Sequence, residues 1–254
     1  LTEMKDAPVE KNGIHSAILD GKLKGYVVHE SIGHGLEANV LQGEEGGDYE
    51  DDEDSSKASL FEGKIGDVVA PEFFSLYDDP TIVSSRAYYF LDEEGVKAKK
   101  VELIKNGVLK DYLMSRQSAG YLKTQSNGHA RSQGVKTPVP RMSNLVVKSS
   151  NEICFEKLKE ELIKECIKQK KEYGLLMEDA SMGLVIPGES FLNIFPLHTH
   201  RIYVKRKKPE RVRGVYIVGT PYAVLKNIVK TSNRYQTDDG YCGASSGYIP
   251  STEI

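Results

Sequence analysis

Short β-branched and aromatic segments dominate the chain after residue 57, and glycine, proline, asparagine or aspartate separates each segment from the next. This pattern is typical of strands joined by tight turns. Asn106 and Gly107 interrupt an alternating segment, which is the strongest short-range signal for a hairpin. Because strands and helices do not alternate regularly, the sequence predicts an α+β fold with an antiparallel, β-rich domain. The predicted strand segments are 68–79, 85–95, 99–115, 141–149, 183–188, 191–206 and 213–221.

Apolar residues recur at helical spacing in only three places. The first segment runs from about Val27 to Leu41, the second is the long segment Ile153–Tyr173, and a third covers Tyr222–Val229. Cys154 and Cys166 flank the long segment and are most simply buried thiols. The sequence therefore predicts one helix near the start and one long helix in the second half.

The length of 254 residues suits one large domain or two small ones, and such a chain can bury most of its apolar surface. Residues 1–15 are polar and lack periodicity, so they are predicted to be a lead-in or an interdomain linker. The predicted domain then spans 16–254. Within it, residues 43–57 are rich in carboxylates and glycine and lack the spacing of a calcium loop, which predicts a flexible, solvated loop.

Charge and cysteine content exclude several classes of protein. With 34 basic and 37 acidic side chains the net charge is −3, so electrostatics does not favour a nucleic-acid partner. The sequence contains no apolar run long enough to span a membrane and no signal-peptide pattern, which predicts a cytoplasmic protein without a membrane partner. Three cysteines favour reduced thiols or a metal ligand over a disulfide framework.

The segment GYVVHESIGHGLEANV places His29 and His34 five residues apart. On a regular α-helix these side chains would point about 140° apart and could not share a small site. An i+5 bulge of the π type reduces the angle to roughly 50°, and such bulges are frequent at functional sites. Gly33 would let the backbone leave α geometry at that point. The sequence therefore predicts a metal-binding helix with a bulge.

A catalytic zinc usually has three protein ligands, so a third residue must come from elsewhere in the chain. The candidates are Cys242 in a glycine-rich segment, His129, the pair His198 and His200, and Glu37. A thiolate with two imidazoles suits Zn²⁺ better than Mg²⁺ or Ca²⁺. However, isolated histidines are more often ordinary core, surface or strand residues than metal ligands.

Two glutamates next to the histidines are candidates for supporting roles. Glu30 follows His29 directly and could take a proton from zinc-bound water, the role of the glutamate in H-E-x-x-H enzymes. Glu37 lies one turn after His34 and could hold the other ring nitrogen of that residue. Arg131 and Arg141 are weak candidates for binding peptide carbonyl or carboxylate groups, because structural ion pairs are the better single explanation for each.

Several stretches together resemble the TldD/PmbA metalloprotease family, in its TldD-type members, over most of the chain from Ser16 to about Pro250. The matching stretches are SAILDGKLKGYVVHESIGHGLEAN, FEGKIGDVVAPEFFSLYDDP, LDEEGVKAKKVELIKNGVLKDYL, GHARSQGVKTPVPRMSNL and CGASSGYIP. In this order they are far more specific than the histidine motif alone. The N-terminal domain usual in this family is absent from the sequence, which resembles the C-terminal metalloprotease domain.

The resemblance implies a zinc-dependent peptidase that hydrolyses unfolded or leader peptides. It implies that His29, His34 and Cys242 bind the metal and that Glu30 is the catalytic glutamate. It also implies a homodimer, or a heterodimer with a TldE/PmbA-like subunit that lacks the metal motif. The alternative is a non-catalytic subunit that binds peptides or acts as a scaffold in such a complex.

Overall fold

A computed structural model describes residues 5–42, 59–186, 191–206 and 208–254. The strands are β1 (Ala17–Leu19), β2 (Phe74–Asp78), β3 (Val101–Lys105), β4 (Val108–Leu109), β5 (Ala130–Arg131), β6 (Val139–Pro140), β7 (Asn144–Ser149), β8 (Glu152–Ile153), β9 (Tyr173–Ile186), β10 (Phe191–Tyr203), β11 (Glu210–Val212), β12 (Ile217–Gly219), β13 (Thr231–Ser232), β14 (Asp238–Ala244) and β15 (Gly247–Glu253). The α-helices are α1 (Gly21–Val28), α2 (Arg116–Tyr121), α3 (Phe155–Lys168) and α4 (Pro221–Lys226). This composition confirms the predicted α+β class.

Two sheets account for most of the strands. The first has the order β1-β9-β10-β11, with β12 also paired to β10, and the long strands β9 and β10 are antiparallel. The second has the order β14-β15-β7-β2-β3-β4 and places β14 at one edge. Most pairs are antiparallel as predicted, but β1 with β9, β15 with β7, and β13 with β8 are parallel. The fold therefore needs several long connections between sheet neighbours.

Helices α1 and α3 cover opposite faces of the first sheet. Leu23 and Val27 of α1 belong to a buried cluster that contains Leu175. The next residue of β9, Leu176, is buried with Leu162 and other residues on the side of α3. This alternation follows from the two-residue period of a strand, which sends successive side chains to opposite faces.

The helical segment near the start connects the two sheets. Val28, Ile32 and Leu36 leave the cluster under the first sheet and pack into the large core of the second, which also contains Cys242. The end of α1 therefore lies where the two cores meet. Side chains from the second sheet can reach the helix at that point.

The helix boundaries differ from the prediction at both ends. Helix α1 begins at Gly21, before the predicted start at about Val27, because the Asp20 side chain accepts a hydrogen bond from the Leu23 N–H. The continuous helical segment ends at Leu36, where the chain becomes extended at Glu37, and a separate 3-10 turn follows at Val40–Gln42. In the second half, α3 is shorter than predicted, whereas α4 lies close to its predicted position.

The turn prediction at Asn106 and Gly107 is confirmed, because both residues have positive φ between β3 and β4. The predicted strand at 85–95 is wrong, since the segment forms turns. The carboxylate of Asp92 accepts hydrogen bonds from the N–H groups of Glu94 and Val96 and so stabilises a turn in place of a ladder.

The acidic segment 43–57 lies outside the described residues. Across the described part of the chain, none of the helices has the length and apolar character that crossing a bilayer requires.

Candidate metal centre

The helix that carries both histidines widens after α1. Residues His29–Gly33 form a π-helical turn, in which the N–H of His34 donates to the carbonyl of His29 five residues earlier. As a result, the two imidazole rings lie on one side of the helix with their centroids 5.0 Å apart. The predicted i+5 bulge is therefore confirmed, and it solves the angular problem that the spacing poses.

Gly33 serves this turn for a different reason from the one predicted. Its φ and ψ angles of −55° and −58° are ordinary right-handed values, which any residue could adopt. A Cβ atom at this position would lie 1.9 Å from the Met142 sulfur and 3.0 Å from the Leu145 Cδ1. Gly33 therefore allows the helix to approach the segment before β7 and β7 itself.

The side chain of Cys242, on β14, faces the two histidines. Its sulfur lies 3.2 Å from the His34 Nε2, and single ligand atoms of His29, His34 and Cys242 all lie within 4.8 Å of one another. Within the described ranges this is the one group of three or more potential ligands that meets this spacing. Two ligands of a tetrahedral zinc lie roughly 3.5 Å apart. The spacing and the donor types therefore fit a zinc ion.

A carboxylate contacts the outer ring nitrogen of each histidine. The His34 Nδ1 lies 3.0 Å from a Glu37 carboxylate oxygen, and the His29 Nδ1 lies 2.7 Å from a Glu253 oxygen. When each Nδ1–H donates to its carboxylate, each Nε2 keeps a lone pair for a metal.

Glu37 is also tied to the residues before β7. Its second carboxylate oxygen accepts a hydrogen bond from the Met142 N–H at 3.2 Å and lies 3.4 Å from the Arg141 Nε. Both Glu37 and Arg141 are buried. The position of Glu37 behind His34 agrees with the prediction that it holds that ring.

The charges around Cys242 favour the deprotonated form of its sulfur, which is the form that binds a metal. Burial raises the pKa of the Cys242 thiol, but the imidazoles of His34 and His29 lower it further, so that the pKa is well below its usual value. Burial lowers the pKa of His34, whereas the Cys242 sulfur and the Glu37 carboxylate raise it to about 10. The thiolate, which is the form that binds metal, is thus stabilised by its neighbours.

Glu30 differs from these residues because it is not engaged. It directly follows His29 in the π turn and is partly buried. Its side chain has no hydrogen-bond or ion-pair partner among the residues that the structure describes. Glu30 is therefore a carboxylate without a partner in the described chain, adjacent in sequence to a candidate ligand.

The other histidine candidates lie outside the cluster. His129 is fully buried, and its Nε2 lies 3.1 Å from the Asp78 carboxylate while its Nδ1 contacts Asn127. On β10, His198 Nδ1 accepts a hydrogen bond from Arg211 at 2.8 Å, and His200 lies 3.8 Å from the Glu178 carboxylate. These contacts are typical of histidines that stabilise a core or a strand, and not of metal ligands.

The two arginines have different environments. Arg141 is only 1 % exposed, and its guanidinium donates to the carbonyl groups of Cys242 and Gly247 and to the Ser246 hydroxyl. Peptide binding by this residue stays a prediction, and its burial together with these contacts of its terminal nitrogens favours the structural alternative. Arg131 pairs with Glu93 and retains partial exposure.

Glu253 was not predicted from the sequence, although a signal for it exists. The segment from 238 to 253 alternates around a Ser-Ser-Gly turn, which predicts a hairpin. In the observed register Cys242 pairs with Ile249 and Asp238 pairs with Glu253. Because side chains on one face recur every two residues, that register puts Cys242 and Glu253 on the same face.

Comparison with known proteins points to one family. A family model described as the PmbA/TldA metallopeptidase C-terminal domain matches residues 12–254. A protein named metalloprotease from Archaeoglobus fulgidus is 31% identical over 251 residues, which cover 98% of this chain and 52% of the relative. A protein named zinc metalloprotease TldD homolog from Saccharolobus solfataricus is 34% identical over 158 residues, which cover 59% of this chain and 32% of the relative.

A solved structure shares the fold. TldE from Thermococcus kodakarensis superposes with a TM-score of 0.67 at 16% identity, covering 99% of this chain and 50% of that chain. The chain spans about half the length of the curated relatives it matches over most of its own length. Because the family domain matches nearly all of its residues, the chain belongs to the PmbA/TldD metallopeptidase family and contains the C-terminal domain of that family.

Proposed function

We propose that this chain carries the metal centre and the catalytic base of a zinc-dependent peptidase that hydrolyses unfolded or leader peptides. One observation supports the proposal most strongly. Two imidazoles and a thiolate from opposite ends of the chain converge, and the residue directly after the first histidine is a glutamate with no partner in the described protein. Three protein ligands are typical of catalytic zinc, whereas structural zinc usually has four.

His29, His34 and Cys242 would hold the ion, through the Nε2 atoms of the imidazoles and the sulfur. Zinc at this position would polarise the scissile carbonyl and lower the pKa of a water molecule to roughly 7. The protein contributes the orientation of the ligands, because both Nδ1 atoms contact carboxylates. These contacts keep the ligand atoms directed at one point.

Glu30 would transfer the proton during hydrolysis. Its carboxylate would take a proton from the attacking water and deliver it to the nitrogen of the leaving amine. The absence of a partner for Glu30 in the described chain supports this role, because an engaged carboxylate would first have to break an ion pair. Partial exposure also lets a substrate reach it.

The edge strand β14 is the element that we propose binds the substrate. An extended peptide can add to an open sheet edge through main-chain hydrogen bonds, which read shape more than side chains. β14 is the edge of the second sheet and carries Cys242. A peptide paired there would have its main chain next to the candidate ligands.

The proposal also covers the subunit partner and the cellular location of the chain. We propose that the chain acts as a homodimer or beside a TldE/PmbA-like subunit in the cytoplasm. The fold shared with a protein named TldE supports a related pair of subunits. The rival function is a non-catalytic subunit that binds peptides, for which Cys242 and Glu30 would be dispensable.

The decisive experiment measures bound zinc and cleavage of an unstructured peptide for the wild type, Glu30→Gln and Cys242→Ala. Glu30→Gln should retain zinc and lose cleavage by about 100-fold or more, because a positioned base is removed while the ligands remain. Cys242→Ala should lose zinc because a ligand is removed. The TldE-like subunit is added in a parallel series.

The matched control is Glu62→Gln, which changes a carboxylate outside the site and should leave zinc and cleavage unchanged. Normal cleavage by Glu30→Gln would contradict the proposed base. Zinc bound by a wild type that never cleaves peptide, with or without the added subunit, would favour a structural zinc or the non-catalytic function.

Strand addition has its own test. A substrate peptide methylated on alternate main-chain nitrogens loses donors to the sheet edge but keeps its side chains. It should bind more weakly than the unmodified peptide, whereas shuffling the peptide sequence should have little effect. Equal affinity of the methylated and unmodified peptides would exclude strand addition.

A further inference from the structure

Glu253 contacts the candidate ligand His29 without being a neighbour of it in sequence. The two residues are 224 positions apart, and the distance from the Glu253 carboxylate to the His29 Nδ1 is 2.7 Å. Both side chains are nearly buried, with 9% and 10% exposure. In such a setting a hydrogen bond to a carboxylate is strong, since water competes little for either partner.

Helix α1 has no side chain at Gly25, the position against which Glu253 packs. A Cβ atom on Gly25 would approach the Glu253 Cβ to 3.0 Å, so that the absence of a side chain at residue 25 gives the glutamate its place. Gly25 is one turn before His29 on the same helix, so a residue that packs over Gly25 can reach the ring of His29. The contact therefore depends on a specific fit between the helix and β15.

The hairpin of β14 and β15 contributes two groups to the site. Cys242 and Glu253 lie on one face of this hairpin, because the register pairs Cys242 with Ile249 and Asp238 with Glu253. Both strands belong to the second sheet, and β15 is also held by its parallel pairing with β7. Seating the hairpin against the helix thus brings in the sulfur and the carboxylate together.

The contact decides which nitrogen of His29 is free. A carboxylate at Nδ1 accepts a hydrogen bond from the Nδ1–H, and the neutral ring then presents the lone pair of Nε2. The Glu37–His34 contact has the same form, but Glu37 directly follows the helical segment and has Met142 and Arg141 as further partners. Without Glu253, nothing described in the structure would fix the tautomer of His29 in this way.

We propose that Glu253 is a positioning residue of the metal centre: it fixes the tautomer and the ring orientation of His29 so that this residue can bind zinc. This inference rests on the proposed metal centre. It extends that function by assigning a role to a residue that touches neither the ion nor the substrate. Loss of such outer contacts typically weakens metal binding 10- to 100-fold.

The test uses the full chain with Glu253→Gln, Glu253→Asp and Glu253→Ala. Gln keeps the volume but removes the charge, and Asp keeps the charge but withdraws the carboxylate by one methylene. The control, Glu102→Gln, removes an exposed carboxylate that pairs with Lys105 on β3. Zinc affinity is measured by competition with a chelator, Co²⁺ absorption reports the ligand geometry, and thermal unfolding of the metal-free protein reports folding.

Glu253→Gln and Glu253→Asp should each weaken zinc binding by about 10-fold, and Glu253→Ala by up to about 100-fold. The Co²⁺ bands should shift in all three variants, whereas Glu102→Gln should match the wild type. A purely electrostatic role would leave Glu253→Asp normal and would overturn the proposal. If Glu253→Ala does not fold, the Gln and Asp variants decide the result.

Failure of this inference is distinguishable from failure of the proposed function. If the wild type binds zinc and the three variants bind it within about twofold with unchanged Co²⁺ bands, Glu253 has no positioning role and the metal centre stands. If the folded wild type binds neither zinc nor Co²⁺, the metal centre itself is wrong, and the role of Glu253 is excluded with it.

Discussion

At the scale of single residues, the space left by an absent side chain determines how closely the ligand-bearing helix can pack. Gly33 has ordinary helical angles, so its backbone does not require glycine. Its importance comes from Met142, which occupies the place where a Cβ atom would be. Packed interiors tolerate added volume poorly, because neighbouring side chains must leave their preferred rotamers.

Gly33→Ala is therefore expected to destabilise the protein by about 1–3 kcal/mol and to weaken zinc binding, since the helix must move away from Met142. Urea unfolding and chelator competition measure the two effects. Gly120→Ala is the matched control, because a Cβ there meets no atom within 4 Å in helix α2. The control should be neutral or stabilise the protein by up to about 1 kcal/mol. Equal effects of both substitutions would refute the packing argument.

The buried contacts of Arg141 give a second prediction, which concerns the stability of the protein. Arg141→Ala removes the guanidinium that joins Glu37 to the main chain of Cys242, and a buried ion pair that loses one partner costs about 3–5 kcal/mol. Arg131→Ala, which breaks a less buried pair with Glu93, should cost about 1 kcal/mol or less. Denaturant unfolding compares the two variants. A small loss for Arg141→Ala would show that the buried contacts contribute little to stability.

Arg131 remains a candidate for peptide binding. If it binds substrate, Arg131→Ala should raise KM and leave kcat nearly unchanged, because uniform binding is lost. Unchanged KM would assign this residue to its contacts with Glu93 and with the ring of Tyr89 alone.

At the scale of elements, the start of α1 positions the site. The Asp20 carboxylate accepts hydrogen bonds from the Leu23 N–H at 2.8 Å and from the Asp179 N–H at 3.0 Å. The same side chain therefore caps the helix and ties it to β9. A change at Asp20 should affect both the stability of the helix and the position of His29 two turns later.

Asp20→Ala is expected to destabilise the protein by about 1–2 kcal/mol, in the upper range for an N-cap, and to weaken zinc binding several-fold. Thr220→Ala removes the cap of α4, which lacks a candidate ligand, and should destabilise without changing zinc affinity. Urea unfolding and chelator competition on both variants test the pairing. Unaltered zinc affinity in a destabilised Asp20→Ala would separate the cap from the site.

At the scale of the whole molecule, the first described residues are attached to the first sheet. Glu10 is buried, and its carboxylate accepts hydrogen bonds from Arg201 on β10 and from Tyr173 on β9. Val9 also forms a bridge with Arg213. This part of the segment predicted as a lead-in therefore contacts the strands that lie beneath α1.

The Glu10 contacts predict a pH dependence. Burial raises the pKa of Glu10, but the hydrogen bonds from Arg201 and Tyr173 lower it further, to below its usual value of 4.5. A carboxyl group with a lowered pKa in the folded state stabilises the protein above the unfolded pKa, and this contribution is lost as the pH falls through the folded pKa. Deprotonated Glu10 therefore stabilises the fold at neutral pH.

Glu10→Gln should reduce the free energy of unfolding by roughly 1–3 kcal/mol at about pH 7 and less at an acidic pH below the lowered folded-state pKa of Glu10, where the wild-type carboxyl is protonated too. Urea unfolding at the two pH values measures the difference. Glu161→Gln changes an exposed partner of Lys164 and should have little effect at either pH. A loss for Glu10→Gln that is the same at both pH values would contradict the argument.

The sequence alone determined the features that depend on local chemistry. The spacing of His29 and His34 required an i+5 turn, because only a wider turn puts both rings on one side of a helix. Asn106 and Gly107 predicted their hairpin for a similar reason, since both tolerate positive φ. The strand-and-turn pattern likewise predicted the α+β class without any knowledge of strand order.

Only the tertiary structure decided which distant groups meet. Cys242 and Glu253 reach the helix because their hairpin joins β7, and that parallel pairing depends on contacts between segments about a hundred residues apart. The same contacts bury Arg141, although the sequence alone would predict that an arginine lies at the surface. The conformational preferences of short segments do not predict such contacts, because the free energy that selects them comes from burial and hydrogen bonding across the assembled core.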